Sequence, residues 1–327
     1  MKLLMRYFTF FFLLLFSNQS IAQWCSLPTP GVISECDYCQ CSQGISPMET
    51  GSTGIRFDVR SLYRSAFYNG AEKLANPEGI YETYLTNQLI LNYQIAESPF
   101  TISATVPYVV RQAHDADGNI KGEGISDILA IVRYNAKEYI NESLLGYSVT
   151  GGVKFATGST NITSATGDTL DPHIRPGTGT TDFLIGAAGI WSLDRVGITT
   201  SITAGFVTGS GAPTPEGMHK FGNYVLGDIT ARYRIIPEDV SESNLSLTLG
   251  IGAETHGKET VGGSPVIASG ETLVYLIPGL KYIFSTKISL DGSIQIPLYQ
   301  YQGWDPSTGE NQLGQTYRIM AGIQYLP

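Results

Sequence analysis

The chain has 327 residues, of which 42% are apolar and only 15% are charged, with 37 glycines and 19 tyrosines. Its formal net charge is −9, from 20 basic against 29 acidic residues. This balance argues against a nucleic-acid partner, because binding to phosphates depends on an excess of basic side chains. The length fits one large domain or two medium ones.

Residues 1–22 are predicted to be an export signal. Lys2 and Arg6 precede a short apolar run that extends from Tyr7 to Phe16. Ser20 and Ala22 place small residues at positions −3 and −1 of a cleavage site. A membrane anchor is the less favoured alternative, because about ten apolar residues are too few to span a bilayer core of ~30 Å as a helix. Loss of the two cations changes the net charge to −9 − 2 = −11.

The next segment, residues 23–50, carries all four cysteines: Cys25, Cys36, Cys39 and Cys41. Export from a Gram-negative cell leads to an oxidising compartment, which favours two disulfides, for which four cysteines allow three connectivities. Cys39 and Cys41 are too close for a relaxed mutual bridge, so each is expected to pair with Cys25 or Cys36. A four-thiolate metal or redox site and a free or intermolecular thiol remain as alternatives. The segment is predicted to lie in the periplasm or in the lumen of the domain that follows.

Residues 51–327 alternate between apolar and polar side chains with a period of two. In "LSLTLGIGAE", Leu245, Leu247 and Leu249 share one face, and Ser246 and Thr248 share the other. Such alternation predicts strands with one apolar face. Twelve strands are predicted, at 54–66, 80–95, 99–112, 124–135, 144–156, 180–193, 197–208, 221–236, 243–256, 270–284, 286–300 and 313–326.

Short and long connections alternate between these strands. "ESP", "LDRVG" and "STK" are short, whereas "AHDADGNIKGEG" and "TGSTNITSATGDTLDPHIRPGTG" are long and rich in Gly and Asp or Thr. An antiparallel meander places every second connection at the same end, so one end has tight turns and the other long loops. That asymmetry, with tyrosines near strand ends, is typical of outer-membrane barrels. A soluble β-sandwich is the alternative, but it does not require this asymmetry. We therefore predict an all-β fold, a closed antiparallel up-and-down transmembrane β-barrel of about 12 strands after the Cys-rich segment.

Charged residues within the strands fall mostly on the less apolar face. An Arg facing lipid near the bilayer midplane costs about 2–4 kcal/mol, so these residues are expected to face the lumen. Mixed charges on one wall can line a water-filled pore or form a paired network that fills a narrow barrel, and a narrow or plugged conduit is favoured. The predicted pore-lining residues are Arg56, Asp58, Arg60, Arg64, Asp127, Arg133, Lys154, Asp182, Asp228, Arg232, Arg234 and Arg318, with Asp291 on the same wall.

Three stretches resemble a bacterial family of outer-membrane, transporter-like barrels named after the MetA pathway of phenol degradation. They are "GISDILAIVRYNA", "GYSVTGGVKFATGS" and "PGTGTTDFLIGAAGIW". The matching positions are Gly124 and Asp127, then Thr157 and Gly158, then Gly177, Gly179 and Asp182, with a further Gly-Asp at Gly227 and Asp228. Ala156 stands where the family often has proline, and the Cys-rich start departs from many members. The resemblance covers roughly residues 50–327 and implies an outer-membrane barrel linked to aromatic compounds.

The expected function is passive passage of a small solute, which the resemblance suggests to be aromatic or hydrophobic. No enzyme activity and no cofactor are expected, because His114, His173 and His219 fall in predicted loops and His256 at a strand end, and none alternates with serine on a lipid-facing strand. The alternatives are a structural or assembly barrel that anchors a periplasmic partner through the Cys-rich segment, and a metal- or redox-linked envelope protein. The expected partners are the outer-membrane lipid bilayer, the assembly machinery of that membrane and a periplasmic protein, with no nucleic acid.

Overall fold

The structure is a computed structural model that describes residues 53–327 except 116–117, 141–142, 164–166, 168, 194, 237–242, 286 and 308–310. The predicted signal segment, the predicted Cys-rich segment and the four cysteines lie outside the described residues. In the part of the chain that is described, no helix is long and apolar enough to cross a membrane.

Twelve long strands form the barrel. They are β1 (Gly54–Asn69), β3 (Tyr81–Gln94), β4 (Phe100–Asp115), β6 (Leu129–Ile140), β7 (Ser143–Lys154), β8 (Thr181–Leu193), β9 (Val196–Thr208), β12 (Tyr224–Ile236), β13 (Asn244–His256), β16 (Glu271–Ile283), β17 (Ile288–Gln302) and β18 (Gln312–Tyr325). Each pairs antiparallel with the next, and β18 returns to pair with β1, for example at Val59 and Ala321. The predicted closed barrel of twelve strands is confirmed.

Six short strands complete the fold: β2 (Glu72–Lys73), β5 (Gly118–Ile125), β10 (Ala212–Thr214), β11 (Gly217–Lys220), β14 (Thr260–Val261) and β15 (Ser264–Pro265). Strands β10, β11, β14 and β15 form a separate sheet in the order of their numbers. Two long loops supply this sheet, the one between β9 and β12 and the one between β13 and β16. It therefore joins two loops at the same end of the barrel.

The segment 113–124 differs from the prediction of a loop. Strand β4 continues to Asp115, and β5 pairs with it from Asp115↔Gly118 to Tyr108↔Ile125. The fourth barrel strand consequently starts at Leu129 rather than at 124. Glycines at the two ends of β5 adopt positive φ, +134° at Gly118 and +151° at Gly124, a conformation that other residues rarely adopt. The turn-forming residues between the third and fourth predicted strands were correctly recognised. They belong to a hairpin of β4 and β5 instead of a longer irregular loop.

The two ends of the barrel are unlike. The ends of β3, β6, β8, β12 and β16 and the starts of the strands that follow them lie at one end, together with the start of β1 and the end of β18. The long connections lie at the other end. The alternation expected from the sequence is confirmed, and it gives the barrel a short-turn end and a long-loop end.

The barrel has its apolar side chains on the outside. On β13, Leu247, Leu249 and Ile251 are more than half exposed, whereas Ser246 and Thr248, which alternate with them, are buried. A soluble sandwich would bury the apolar row, because burial of apolar surface drives its folding. Apolar side chains outside and polar side chains inside are instead typical of a barrel surrounded by lipid. This inversion excludes the soluble alternative.

Candidate functional site

All the predicted pore-lining residues except Asp228 are buried, and the strand alternation points the strand residues among them toward the barrel interior. Arg60 and Arg318 lie on the polar, inward face of the barrel, and each is only 1% exposed. Asp228 is partly exposed on the inward face of β12, where the Ser201 hydroxyl donates a hydrogen bond to its carboxylate. Long cationic side chains shielded this well from solvent fit a narrow lumen better than a wide aqueous one. Their role in lining a pathway stays a prediction.

Arg56, Asp58 and Asp291 form a buried ion cluster, here called the seam triad, where the last strands meet the first. The Arg56 guanidinium donates to both carboxylate oxygens of Asp291, at 2.7 and 2.9 Å, and its Nε lies 2.7 Å from Asp58. Asp58 and Asp291 are both paired with Gly322 of β18. A Cβ on Gly322 would lie 2.2 Å from the Arg56 guanidinium. The missing side chain therefore lets charges on β1 and β17 meet across β18.

Two more arginines carry the network toward the long-loop end. Arg318 donates to Gln295 at 2.8 Å and lies 3.4 Å from Glu254, and its guanidinium sits 5.6 Å from the Tyr275 ring. Arg64 lies 3.5 Å from Glu271. Each of these ion pairs spans strands that are not direct neighbours. In addition to pairs on one strand such as Arg56 and Asp58, the wall charges are thus paired between strands that are not direct neighbours.

An apolar cluster interrupts the polar wall near the long-loop end. It was not expected from the sequence, because the period-two alternation predicted a uniformly polar interior. Its members are Leu62, Tyr84, Leu129, Ile131, Leu184, Val207, Phe221, Tyr224 and Leu226. Leu62, for example, lies between Ser61 and Tyr63, so the local pattern on β1 does not distinguish the two faces. The interior therefore has an apolar zone near the long loops in addition to its charged groups.

The three stretches that carry the family resemblance meet at the rim of the barrel. Asp127 accepts hydrogen bonds from the Gly158 amide at 2.8 Å and from the amide and hydroxyl of Thr178 at 3.0 and 2.6 Å. Lys154 lies 2.8 Å from Asp182 and 3.4 Å from Asp127. Asp127, Lys154 and Asp182 are called the rim cluster below. The loop 155–180 is called the mouth loop below. The rim cluster attaches it to β6, β7 and β8 at the long-loop end of the barrel.

Glycines allow the two ends of the mouth loop to touch. A Cβ on Gly177 would lie 2.1 Å from the carbonyl oxygen of Gly158, and a Cβ on Gly158 would lie 2.6 Å from the Gly177 Cα. The Gly177 amide donates to the carbonyl of Ser159 at 3.0 Å. Gly158 and Gly177, which are among the glycines that carry the resemblance, therefore allow a close contact between the two backbone segments.

The mouth loop folds into the opening of the barrel. Arg111, on the inward face of β4, donates to the carbonyls of His173 and Arg175 at 3.0 and 2.8 Å. Arg175 in turn donates to the carbonyl of Pro213, in the sheet formed by the loops, at 2.6 Å. Leu170 and Ile174 of the loop are buried. The sequence reasoning missed Arg111 and Arg175, because nothing in their local pattern indicates that they bind backbone carbonyls of distant loops.

A histidine cluster connects this loop to the loops that follow β9 and β13. His173 Nε2 and His219 Nε2 lie 3.0 and 2.8 Å from the two carboxylate oxygens of Glu259, and His173 Nδ1 lies 2.7 Å from Asp171. Burial opposes protonation of His173, but the charges of Glu259 and Asp171 outweigh it and raise the His173 pKa well above its usual value. Burial would raise the pKa of Glu259, yet the two histidines lower it to about 2. The sequence placed His173 and His219 in loops but did not bring them together.

The comparisons with known proteins support the fold. No protein-family model and no curated protein matches the chain. Among solved structures, the COG4313 outer membrane channel from Pseudomonas putida F1 is similar with a TM-score of 0.64 and 14% identity, over 85% of this chain and 96% of that one. At that identity the likeness concerns the fold.

Two other solved structures are more distant. The β-domain of the Bordetella autotransporter BrkA has a TM-score of 0.48 and 12% identity, over 84% of this chain and 100% of that one. The CymD monoaromatic hydrocarbon channel has a TM-score of 0.38 and 9% identity, over 84% and 89%. Scores this low carry no argument about function. The chain has the fold of a twelve-stranded membrane barrel, as the resemblance to transporter-like outer-membrane barrels implied, and its structure is similar to that of the COG4313 channel.

Proposed function

We propose that this protein is an outer-membrane channel for passive passage of a small solute. The observation that carries the proposal is the closed barrel whose outer surface is apolar and whose interior is lined by polar and charged side chains. A closed antiparallel barrel with an even number of strands and long loops at one end is the form that proteins take in the bacterial outer membrane. The similarity to an outer membrane channel supports the same location.

The solute proposed is small and at least partly apolar, and an aromatic compound fits best. The apolar cluster beneath the mouth loop offers leucines and two tyrosine rings to such a molecule. Binding pockets for small ligands are mostly apolar, with few polar groups that fix orientation. The arginines and carboxylates of the interior would supply those polar groups. The proposal includes no catalytic step.

Planar-bilayer recordings test the proposal. The purified protein is expected to give steady single-channel current steps, small ones because the lumen is narrow. A small aromatic carboxylate added on the long-loop side is expected to block the current, whereas a hexose of similar size is not. A bilayer that stays silent with folded protein present would contradict the channel.

A pair of neighbouring variants tests the apolar solute. Leu226 faces the interior and is 3% exposed, and Val225 beside it faces outward and is 42% exposed. Leu226→Gln is expected to weaken the block by the aromatic carboxylate about tenfold, a typical loss when one apolar side chain is removed from a ligand site. Val225→Gln is the matched control and is expected to leave the block unchanged. Equal block in both variants would contradict the assignment of the apolar cluster as the solute path.

A further inference from the structure

The histidine cluster has the composition and arrangement of a metal site. One ring nitrogen from each of His173 and His219 and a carboxylate oxygen of Glu259 lie within 4.8 Å of one another. Two imidazoles and a carboxylate are ligands that zinc accepts, at distances of about 2.0–2.2 Å. A tetrahedral ion with such bonds holds its ligand atoms roughly 3.4 Å apart, so small side-chain adjustments would bring all three into the first coordination shell.

The surroundings of the cluster match those of a metal-binding histidine. His173 uses one ring nitrogen toward Glu259 and the other toward Asp171, whose carboxylate also accepts the backbone amide of His173 at 2.8 Å. A histidine that binds a metal commonly donates its second ring N–H to a carboxylate, which fixes the ring and its tautomer. Asp171 is therefore in place to orient His173 toward a cation.

Packing holds the other two ligands. The Phe221 ring lies 5.4 Å from the His173 ring and 4.8 Å from the His219 ring, edge-on to both. The backbone amide of Glu259 donates to the Ser269 hydroxyl at 2.9 Å. Both His219 and Glu259 are buried. Ligands positioned in this way lose little freedom when they bind an ion.

A second group of metal-ligand side chains, Glu254, His256 and Glu271, is a weaker candidate. Glu254 lies 3.4 Å from Arg318, and Glu271 lies 3.5 Å from Arg64. A guanidinium already balances each of these carboxylates. In the histidine cluster the carboxylate of Glu259 pairs instead with the imidazoles of His173 and His219, which can release a proton to admit a metal.

We propose that His173, His219 and Glu259 form a binding site for a divalent transition metal, zinc being the probe of choice, with the fourth position open to water. The three ligands come from three different long loops: the mouth loop, the loop that contains β11, and the loop that follows β13. The ion would therefore tie these loops together over the opening of the barrel. This inference does not depend on which solute passes.

Zinc binding to the purified full-length mature protein tests the proposal. The protein carries Cys25→Ser, Cys36→Ser, Cys39→Ser and Cys41→Ser, so that thiolates cannot supply a second site. Competition with a chromogenic zinc chelator is expected to give one zinc per chain. Absence of binding in this folded protein would overturn the proposal.

Variants in the same background identify the ligands. His219→Ala and Glu259→Gln are expected to weaken zinc binding at least tenfold, and Glu259→Gln keeps the size and hydrogen-bonding capacity of the side chain. Asp171→Asn is expected to weaken it about 10–100-fold, as loss of an orienting partner does. His114→Ala is the control, because His114 lies at the same end of the barrel but binds Asn119. Ligand variants that bind zinc as tightly as His114→Ala would overturn the assignment.

A second measurement reports on the loops. Zinc is expected to slow amide hydrogen exchange in all three loops of the parent protein and in none of them in Glu259→Gln. Gel mobility before and after heating confirms that each variant forms the barrel. Equal exchange with and without saturating zinc would contradict the tie between the loops.

Discussion

At the scale of residues, the inner wall depends on charges that are paired across strands. The seam triad buries one guanidinium with two carboxylates, Asp58 and Asp291, at the place where the barrel closes. Removing one partner of a buried ion pair is costly, because the remaining charge is left without compensation in a medium of low polarity. Loss of the cation of the triad is therefore expected to destabilise the closed barrel far more than loss of a surface pair does.

Arg56→Gln tests this expectation, because it leaves the buried carboxylates of Asp58 and Asp291 without the guanidinium that they share. We expect the variant to lose about 3–5 kcal/mol of free energy of unfolding, the usual cost of breaking a buried pair. Lys121→Ala is the matched control: Lys121 lies 2.7 Å from Glu123, but both side chains are about half exposed. An exposed pair contributes roughly 0–1 kcal/mol. Reversible urea unfolding in lipid vesicles measures both, and equal losses would contradict the role of the triad.

The sequence predicted which residues face inward, but not their partners. Arg56 and Asp58 alternate with apolar side chains on β1, and that pattern alone assigns their face. The contact of Arg56 with Asp291 joins positions that are 235 residues apart in the chain. It depends on strand register and on Gly322, neither of which a local pattern reports. The same limit applies to His173, His219 and Glu259, which lie in separate loops.

At the scale of elements, the mouth loop is a fixed structure attached to the rim. Asp127 holds it by hydrogen bonds to Gly158 and Thr178, and the close contact between Gly158 and Gly177 brings its two ends together. The motifs that resemble the transporter-like family were recognisable in the sequence. Their physical role in fastening a loop emerges only when the three stretches are brought together in the fold.

Two glycine variants test the attachment. A Cβ at Gly177 would overlap a backbone carbonyl, so Gly177→Ala is expected to displace the mouth loop. Gly151→Ala is the control, because a Cβ at Gly151 meets nothing within 4 Å. Hydrogen exchange of the loop amides is expected to increase at least tenfold in Gly177→Ala and to remain unchanged in Gly151→Ala. An unchanged loop in both variants would show that the contact does not hold it.

Asp127→Asn tests the rim cluster independently. The amide can still bond to part of the loop, but Lys154 then retains only Asp182 as a charged partner at the rim. We expect the free energy of unfolding to fall by about 1–3 kcal/mol, the cost of leaving buried polar groups poorly paired. Loop exchange should increase in parallel. A variant as stable as the parent would contradict the account of the rim.

At the scale of the whole molecule, the barrel requires lipid around it. Strand positions, the alternation of faces and the two unlike ends could all be predicted, because period-two patterning and loop length are local properties. The apolar cluster inside the barrel, the hairpin of β4 and β5, and the small sheet between loops could not. The apolar cluster and the small sheet depend on contacts between segments far apart in the chain, whereas the hairpin is local but its sequence also fits an irregular loop.

Arginine substitutions at two depths in the bilayer test whether the apolar outer surface faces lipid. Leu249 lies near the middle of β13 and is 56% exposed, and Ile235 lies at the short-turn end of β12. Leu249→Arg is expected to cost about 2–4 kcal/mol of folding free energy in a bilayer, and Ile235→Arg about 0–1 kcal/mol. Folding titrations into vesicles measure the difference. Equal costs at the two depths would contradict a membrane-spanning orientation.

Pairing of the first strand with the last is the direct test of a closed tube. Val59 and Ala321 are directly paired on the outward face, and paired strand residues are about 4.5–5.5 Å apart at Cα, within disulfide reach. In a chain whose four native cysteines are replaced by serine, Val59→Cys with Ala321→Cys is expected to oxidise nearly completely and to shift gel mobility. Val59→Cys with Ile229→Cys, on the distant strand β12, is expected not to bridge. A folded protein in which the first pair stays reduced, or in which both pairs bridge equally, would contradict the closed barrel.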